Sequence, residues 1–358
     1  MGPSRGLWMN NSKTFSLAVL SAASALALSA CGGSGGGANG GRDFVRAVGS
    51  STVYPFATVV AEQVAKGGGK SPVIESTGTG AGMKLFCAGV GAKHPDVANA
   101  SRRMKAAEYE LCKANGVTDV IEIQVGIDGI AFAEAASGSQ IKLTPKIVYE
   151  ALAANPYGKP NKTRNWSDVD PSLPAIPIQV YGPPTTSGTR DALAELILEK
   201  GCTTDPAMKA LKDGDEDKFK ATCTGVREDG AYVEGGENDN LIVQKIAQNP
   251  KAIGVFGFSF LEENPDKLKG ITMSGVEPTY ATISDFSYPG ARPLYIYVKE
   301  AHLQAIKGLQ AYVAEWPKQW GPDGLLKKKG MVISPEDVRA KNAEVVAGMT
   351  LLDPAQLK

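Results

Sequence analysis

From residue 44 to residue 320 the chain alternates short apolar runs with stretches whose apolar residues recur every three or four positions. A short run rich in Val, Ile and aromatics reads as a buried strand, whereas an i, i+3, i+4 recurrence reads as the inner face of a helix. The first pattern predicts strands over 44–48, 73–75, 120–125, 130–133, 176–181, 253–258 and 294–298. The second predicts helices over 55–65, 83–90, 192–200, 240–248 and 303–320. In the first helix Phe56, Val59, Val60 and Val64 share one face, Pro55 suits the first turn and Gly67 stops it. Strands that alternate with helices predict α/β layers. Trp166 and Trp320 read as packing residues within them.

At 358 residues and 43% hydrophobic content, there is chain for about two domains. The first 31 residues read differently. A short polar start with Lys13 leads into an Ala-rich apolar stretch over 15–28 and then "LSAC", too short for a membrane span. This pattern predicts a signal peptide over 1–31 ending in a lipobox, with Cys31 as the lipidated first residue of the mature chain. "GGSGGGANGG" follows, and 32–42 is expected to be a flexible tether with a reach of about 17 Å. The chain is thus expected in the cell envelope, held to a membrane through Cys31.

Cysteine and charge usage narrow the classes further. Cys87, Cys112, Cys202 and Cys223 are an even set for an oxidising compartment, and local pairing, Cys87–Cys112 and Cys202–Cys223, is the favoured one of three connectivities. Each bridge would contribute about 3 kcal/mol by loop entropy. No C-x-x-C pair occurs and only His94 and His302 are present, which argues against zinc. Basic and acidic residues number 38 each, so no basic excess points to nucleic acid. "DGDED" at 213–217 lacks the Gly and Glu of a calcium loop, with Lys218 and Thr224 in their places.

Three strand-to-helix turns share one chemistry. "VGSSTVYPF" (48–56), "STGTGAGMK" (76–84) and "GPPTTSGTRDA" (182–192) each combine glycines with several hydroxyls. Each alone is explained by ordinary helix capping and turn glycines. Three together carry more donors than capping needs. A helix N-terminus offers free N–H groups and a partial positive charge, glycine admits close approach, and hydroxyls add donors. Convergence of such ends would bind a small oxyanion without high net charge. "NASRRMK" (99–105) adds Ser101 and Arg102, and Arg190 stands in the first turn of the third helix beside Asp191. Exposed salt bridges are the plain alternative for both arginines.

With these residues in view, the sequence resembles the PstS family, phosphate-binding components of ABC phosphate importers. "GSSTVYP", "STGTGAGMK", "ASRRMK", "NWSDVDPSLP", "SGTRDA", "AIGVFGFSFL" and "RPLYIYVK" fall in the family's order and cover nearly all of 43–320. The resemblance implies a two-lobed periplasmic binding protein of type II, with two crossover hinge strands near 125–129 and 290–294. Lobe I is expected over 43–127 plus 293–358 and lobe II over 128–292. The implied phosphate ligands are Ser51, Thr52 and the N–H of Val53, then Thr79, then Ser187, the N–H of Gly188 and Thr189. Where well-known members carry an Asp that accepts phosphate's proton, this chain has Ser101, with Arg102 or Arg190 expected to supply charge. "ENDN" (237–240) reads as a helix start at the ligand rim.

The resulting expectation is a monomeric receptor that closes on inorganic phosphate and passes it to an inner-membrane ABC permease, with no cofactor or metal. A neutral Ser101 would repel sulfate less than a carboxylate does, so a broader oxyanion receptor for sulfate, molybdate or arsenate is the alternative. A phosphatase would need a base or metal to activate a hydroxyl, and neither histidine stands in a nucleophile motif. A lipid-anchored surface protein that has lost transport would keep the fold and bind nothing.

Overall fold

The computed structural model describes residues 42–236 and 239–358. The expected signal peptide, Cys31 and most of the expected tether fall outside the described residues, as do Glu237 and Asn238. Arg42, counted with the tether in the sequence, instead pairs with the buried Asp96 at 2.6 Å and belongs to the folded body.

Nine strands are formed among the described residues: β1 Arg46–Gly49, β2 Val73–Ser76, β3 Val97–Ala100, β4 Val120–Ala135, β5 Val180–Gly182, β6 Tyr232–Glu234, β7 Ile253–Gly257, β8 Leu268–Gly270 and β9 Ala291–Lys299. They are ordered β2-β1-β3-β9-β4-β7-β5-β6, with β8 also paired to β4. The segments 120–125 and 130–133, separate in the sequence pattern, are one strand of 16 residues. It pairs antiparallel with β9 through a register shift between Gln124 and Gly126, then with β7. β4 and β9 therefore run from one half of the molecule to the other. Buried side chains from Ile127 to Ala291, with Val332, make one apolar core; others before and after that span make two more. The molecule is a two-lobed α/β fold with β4 and β9 as its crossovers.

Local chemistry explains where the pattern erred. The expected strand 176–181 shrinks to Val180–Gly182, because Pro177 has no N–H to donate to a ladder. The expected helix 303–320 begins only at Leu309, after Gly308 in the left-handed region (φ 90). α2, Thr79–Phe86, starts earlier than its apolar spacing suggests, because Gly78 (φ 78) turns the chain directly into it. α1 is Tyr54–Lys66. Trp166 and Trp320 are buried, Trp166 completely. Cys87 is bonded to Cys112 and Cys202 to Cys223. No helix among the described residues is long and apolar enough to cross a membrane.

Candidate functional site

β1 and β3 are parallel neighbours, so the turns that follow them emerge at one sheet end. The turn after β2 joins them there, since β2 is parallel to β1. Gly49 (φ 132) makes that convergence possible: a side chain at this position would collide with the Asn99 carbonyl. Ser50 N–H donates to that same carbonyl at 2.9 Å, and Thr77 N–H to Gly49 O at 2.8 Å. The turns at 48–56 and 76–84 and the segment at 99–105 are thus sewn together by backbone bonds.

The third turn comes from the other lobe. The helix of residues 188–202 begins as α over Gly188–Ala192, widens to a π turn over Leu193–Leu198 and closes as α over Glu199–Cys202. Ser187 caps it, its Oγ accepting from Thr189 N at 3.2 Å. Gly188 faces the first turn so closely that a Cβ there would lie 2.7 Å from Thr52 Cα. Thr52 Oγ1 donates to Gly188 O at 3.3 Å, and Ser51 Oγ donates to Asp191 Oδ2. Two hydroxyl-bearing turns from separate cores meet face to face.

A cavity of about 620 Å³ opens along this junction. Five of the residues read from the sequence line it: Ser51, Thr52, Ser187, Gly188 and Thr189. Thr79 and Ser101 do not; they are paired with each other, Oγ1 to Oγ at 3.0 Å, with Ser101 N donating to Thr79 Oγ1 at 3.1 Å. Val53 N–H is occupied locally by Ser50 Oγ at 3.3 Å. Both expected cations are engaged elsewhere. Arg102 grips Glu108 through two bonds of 2.7 and 2.8 Å. Arg190 lies 4.4 Å over the Tyr232 ring and donates to Pro183 O at 3.3 Å. Burial pushes the Tyr232 hydroxyl up to about 12, against the pull of that guanidinium. In the 237–240 stretch, Asp239 lines the cavity and accepts Gly257 N–H at 3.0 Å.

The cation behind the junction is Arg292, on β9, which the sequence reading missed. It is buried (6% exposed) and spreads over three partners. Nη2 donates to Thr52 Oγ1 at 2.9 Å, Nε to Asp128 Oδ2 at 3.0 Å, and Nη1 to Glu195 Oε2. Asp128 belongs to β4, Glu195 to the 188–202 helix and Thr52 to the first turn, so one guanidinium ties both lobes to a crossover strand. Burial raises the Asp128 carboxyl above its usual range, although Arg292 opposes it. Asp191 is raised likewise by burial, with Ser51 opposing and Glu195 reinforcing. "RPLYIYVK" held the arginine in plain view, yet a lone Arg at the start of an apolar strand carries no motif of its own. Only the β4–β9 register, which sets Asp128 opposite Arg292, reveals the pair.

Both histidines lie at the other end of β3. His302 Nε2 accepts Gly91 N–H at 2.9 Å, which leaves its Nδ1–H to donate to Asp96 at 2.7 Å. Both ring nitrogens are committed to structure.

Comparison with known proteins places the chain in a family. Residues 32–316 match the family model of the PBP superfamily domain. Protein SphX of Synechococcus elongatus is 35% identical over 268 residues, covering 72% of this chain and 69% of that protein. Phosphate-binding protein PstS of Staphylococcus saprophyticus is 33% identical over 296 residues, covering 80% of each. The chain belongs to the PstS family. A solved structure of a possible phosphate binding protein from Planctomyces limnophilus superposes with a TM-score of 0.68 at 30% identity, over 86% of this chain and 98% of that one. PstS from Borrelia burgdorferi, at 18% identity and a TM-score of 0.55 over 82% of this chain and 100% of that one, shares the PstS fold.

Proposed function

We infer that this protein captures inorganic phosphate outside the cytoplasm and delivers it to an ABC permease, closing its two lobes on the anion in a hinge motion. The observation that carries this reading is the meeting of the Ser51–Thr52 turn with the Ser187–Thr189 turn across a cavity, in a chain of the PstS family. Small residues and hydroxyls give dense hydrogen bonding, and the start of the 188–202 helix contributes its positive end. Ser51, Thr52, Ser187, Gly188 and Thr189 are assigned as direct ligands. Thr79 and Ser101 complete the pocket once the anion draws their shared hydroxyls in. Arg292 supplies the buried positive charge behind Thr52, while Arg102 and Arg190 act as supports. The reading is of a receptor in which no bond is broken.

Lobe I is assigned to 43–127 plus 293–358 and lobe II to 128–292, in keeping with an apolar core that draws on Ile127 to Ala291. Lipidation at Cys31 and the Gly-rich tether would hold the body at a membrane surface, as a monomer.

One observation keeps the broader oxyanion reading alive: Ser101 is neutral, and its N–H and hydroxyl are both bonded to Thr79. Asp191 compensates in our reading. Its carboxylate accepts Ser51 Oγ–H where the two turns meet, and we assign it to accept a hydrogen bond from the P–OH that phosphate retains at neutral pH and sulfate lacks. Calorimetric titration of phosphate-stripped protein, with sulfate as competitor, tests both levels. Tight phosphate binding that excess sulfate leaves unchanged supports the receptor and its selectivity. Competition by sulfate makes it a broader oxyanion receptor, and no heat with either anion overturns the function.

A further inference from the structure

The cavity has a wall that the anion-site residues do not account for. Lys328, Lys329 and Gly330 line it from the side opposite the Ser187 turn's own lobe, beside Ser51 and Thr52. These residues lie beyond the segment 32–316 that matches the superfamily domain. Their placement is built. Leu326 and Met331 are buried in the same core as α1, which fixes the segment to lobe I. Just after it, Ile127 and Val332 exchange backbone bonds of 3.0 and 3.1 Å, so the chain lies against crossover strand β4. Ser259 Oγ donates to Gly330 O at 3.4 Å and Tyr280 hydroxyl to Ile333 O at 3.0 Å, both from the lobe II side. The segment is a strap that touches both lobes at the hinge.

The charge on the strap matters because of what faces it. Asp128 and Asp239 line the same cavity, Asp191 accepts Ser51 Oγ–H, and Glu195 pairs with Arg292. Asp128 and Glu195 share one cation, Arg292. An approaching phosphate, carrying between one and two negative charges at neutral pH, would meet these acidic groups. Lys328 and Lys329 are exposed, and neither has an ion-pair partner among the described residues. Their charge is therefore not consumed by a neighbouring carboxylate. Unpaired cations at the rim of a cleft with low-dielectric walls raise the local anion concentration and the association rate, in a manner that salt screens.

We propose that Lys328 and Lys329 form an outer capture site for the phosphate anion, which speeds entry into the cleft without holding the bound ligand. This rests on the phosphate-receptor reading. The two side chains act at encounter, whereas the ligands of the Ser51–Thr52 and Ser187–Thr189 turns act after closure. The effect belongs to the on-rate.

Stopped-flow fluorescence of the full protein with inorganic phosphate, run from low to physiological ionic strength, tests it. Lys328→Gln/Lys329→Gln should slow association by about 3- to 10-fold at ~10 mM salt and by about two-fold or less at ~150 mM, with the dissociation rate unchanged. A charge-matched control, Lys159→Gln/Lys162→Gln, removes two exposed lysines that do not line the cavity and should leave the rate as in wild type. Equal slowing in both variants would make the effect one of net charge and overturn the proposal. So would unchanged association in the strap variant, or a change confined to dissociation. Wild-type protein that binds no phosphate would overturn the receptor reading, and the capture site with it.

Discussion

Replacing Arg292 by Met isolates the group that ties the two lobes together. Methionine keeps most of the volume, so the change is chiefly electrostatic. It removes a 3.0 Å bond to Asp128, a 2.9 Å bond to Thr52 Oγ1 and the pair with Glu195. The Glu195 pair contributes little, since that carboxylate is 51% exposed and water will solvate it. Asp128 is the expensive partner, because its side chain is only 12% exposed and burial already raises its pKa. Breaking a buried pair from one side costs about 3–5 kcal/mol. Protonation sets a ceiling on that loss. Taking a carboxyl of ordinary pKa 3.8 to its neutral form costs about 4 kcal/mol at pH 7 and about 1.6 kcal/mol at pH 5, at 1.36 kcal/mol per unit.

The sign follows from linkage. A carboxyl whose folded pKa lies above its unfolded value keeps a proton in the folded state that the unfolded chain has released. Stability therefore falls as pH rises above the unfolded pKa. The Arg292→Met variant should be destabilised by about 3–4 kcal/mol at pH 7 and by about half that at pH 5. Urea denaturation followed by circular dichroism at the two pH values reads this directly. Adding Asp128→Asn should recover most of the loss and abolish its pH dependence, because the uncompensated charge is gone. A variant whose loss is the same at both pH values, or a double mutant no better than Arg292→Met, would refute the assignment of Asp128 as the buried partner.

Gly188→Ala would set a Cβ 2.7 Å from Thr52 Cα and prop the lobes apart, so phosphate affinity should fall by about 100-fold or more in calorimetry while the melting temperature hardly moves. A normal affinity would mean that the closed approach of the two turns is not the bound state. Arg190→Ala should weaken phosphate less than tenfold, since the side chain stacks on Tyr232 instead of lining the cavity; a loss of several kcal/mol would restore it as a direct ligand. Asp191→Asn should cut the preference for phosphate over sulfate by at least about tenfold in competition titrations, because the acceptor becomes neutral and gains a donor; undiminished preference would place the proton acceptor elsewhere. Burial holds the Lys299 ammonium down to about 8, against an ordinary 10.5. Between those values the unfolded chain binds a proton that the folded one has released, so stability climbs with pH, and that contribution is lost as pH falls through about 8. Lys299→Met should flatten that rise in thermal melts from pH 7 to pH 9.5, and an unchanged slope would rule out the buried lysine as its source.

What the sequence disclosed and what it concealed divide along a physical line. Each hydroxyl-rich turn was legible because it is local: the glycines, hydroxyls and following helix of 48–56 or 182–192 sit within a dozen residues, and short-range sterics dictate their shape. The pairing of Ser51 with Asp191 was not, nor the collision that keeps Gly188 bare, because both depend on two segments well over a hundred residues apart. Arg102 and Arg190 drew attention as charges close to the turns. A charge near a helix start answers to whatever is nearest, however, and here Glu108 holds Arg102 and the Tyr232 ring holds Arg190. Arg292 has the opposite character. Its sequence context is an apolar strand, and an arginine in such a strand is tolerated only if other elements neutralise it. The β4–β9 register provides Asp128, and the 188–202 helix brings Glu195. A buried cation in a crossover strand therefore marks the point where both lobes must come together. Arg292, more than any hydroxyl, is the residue whose bonds join both lobes to a crossover strand.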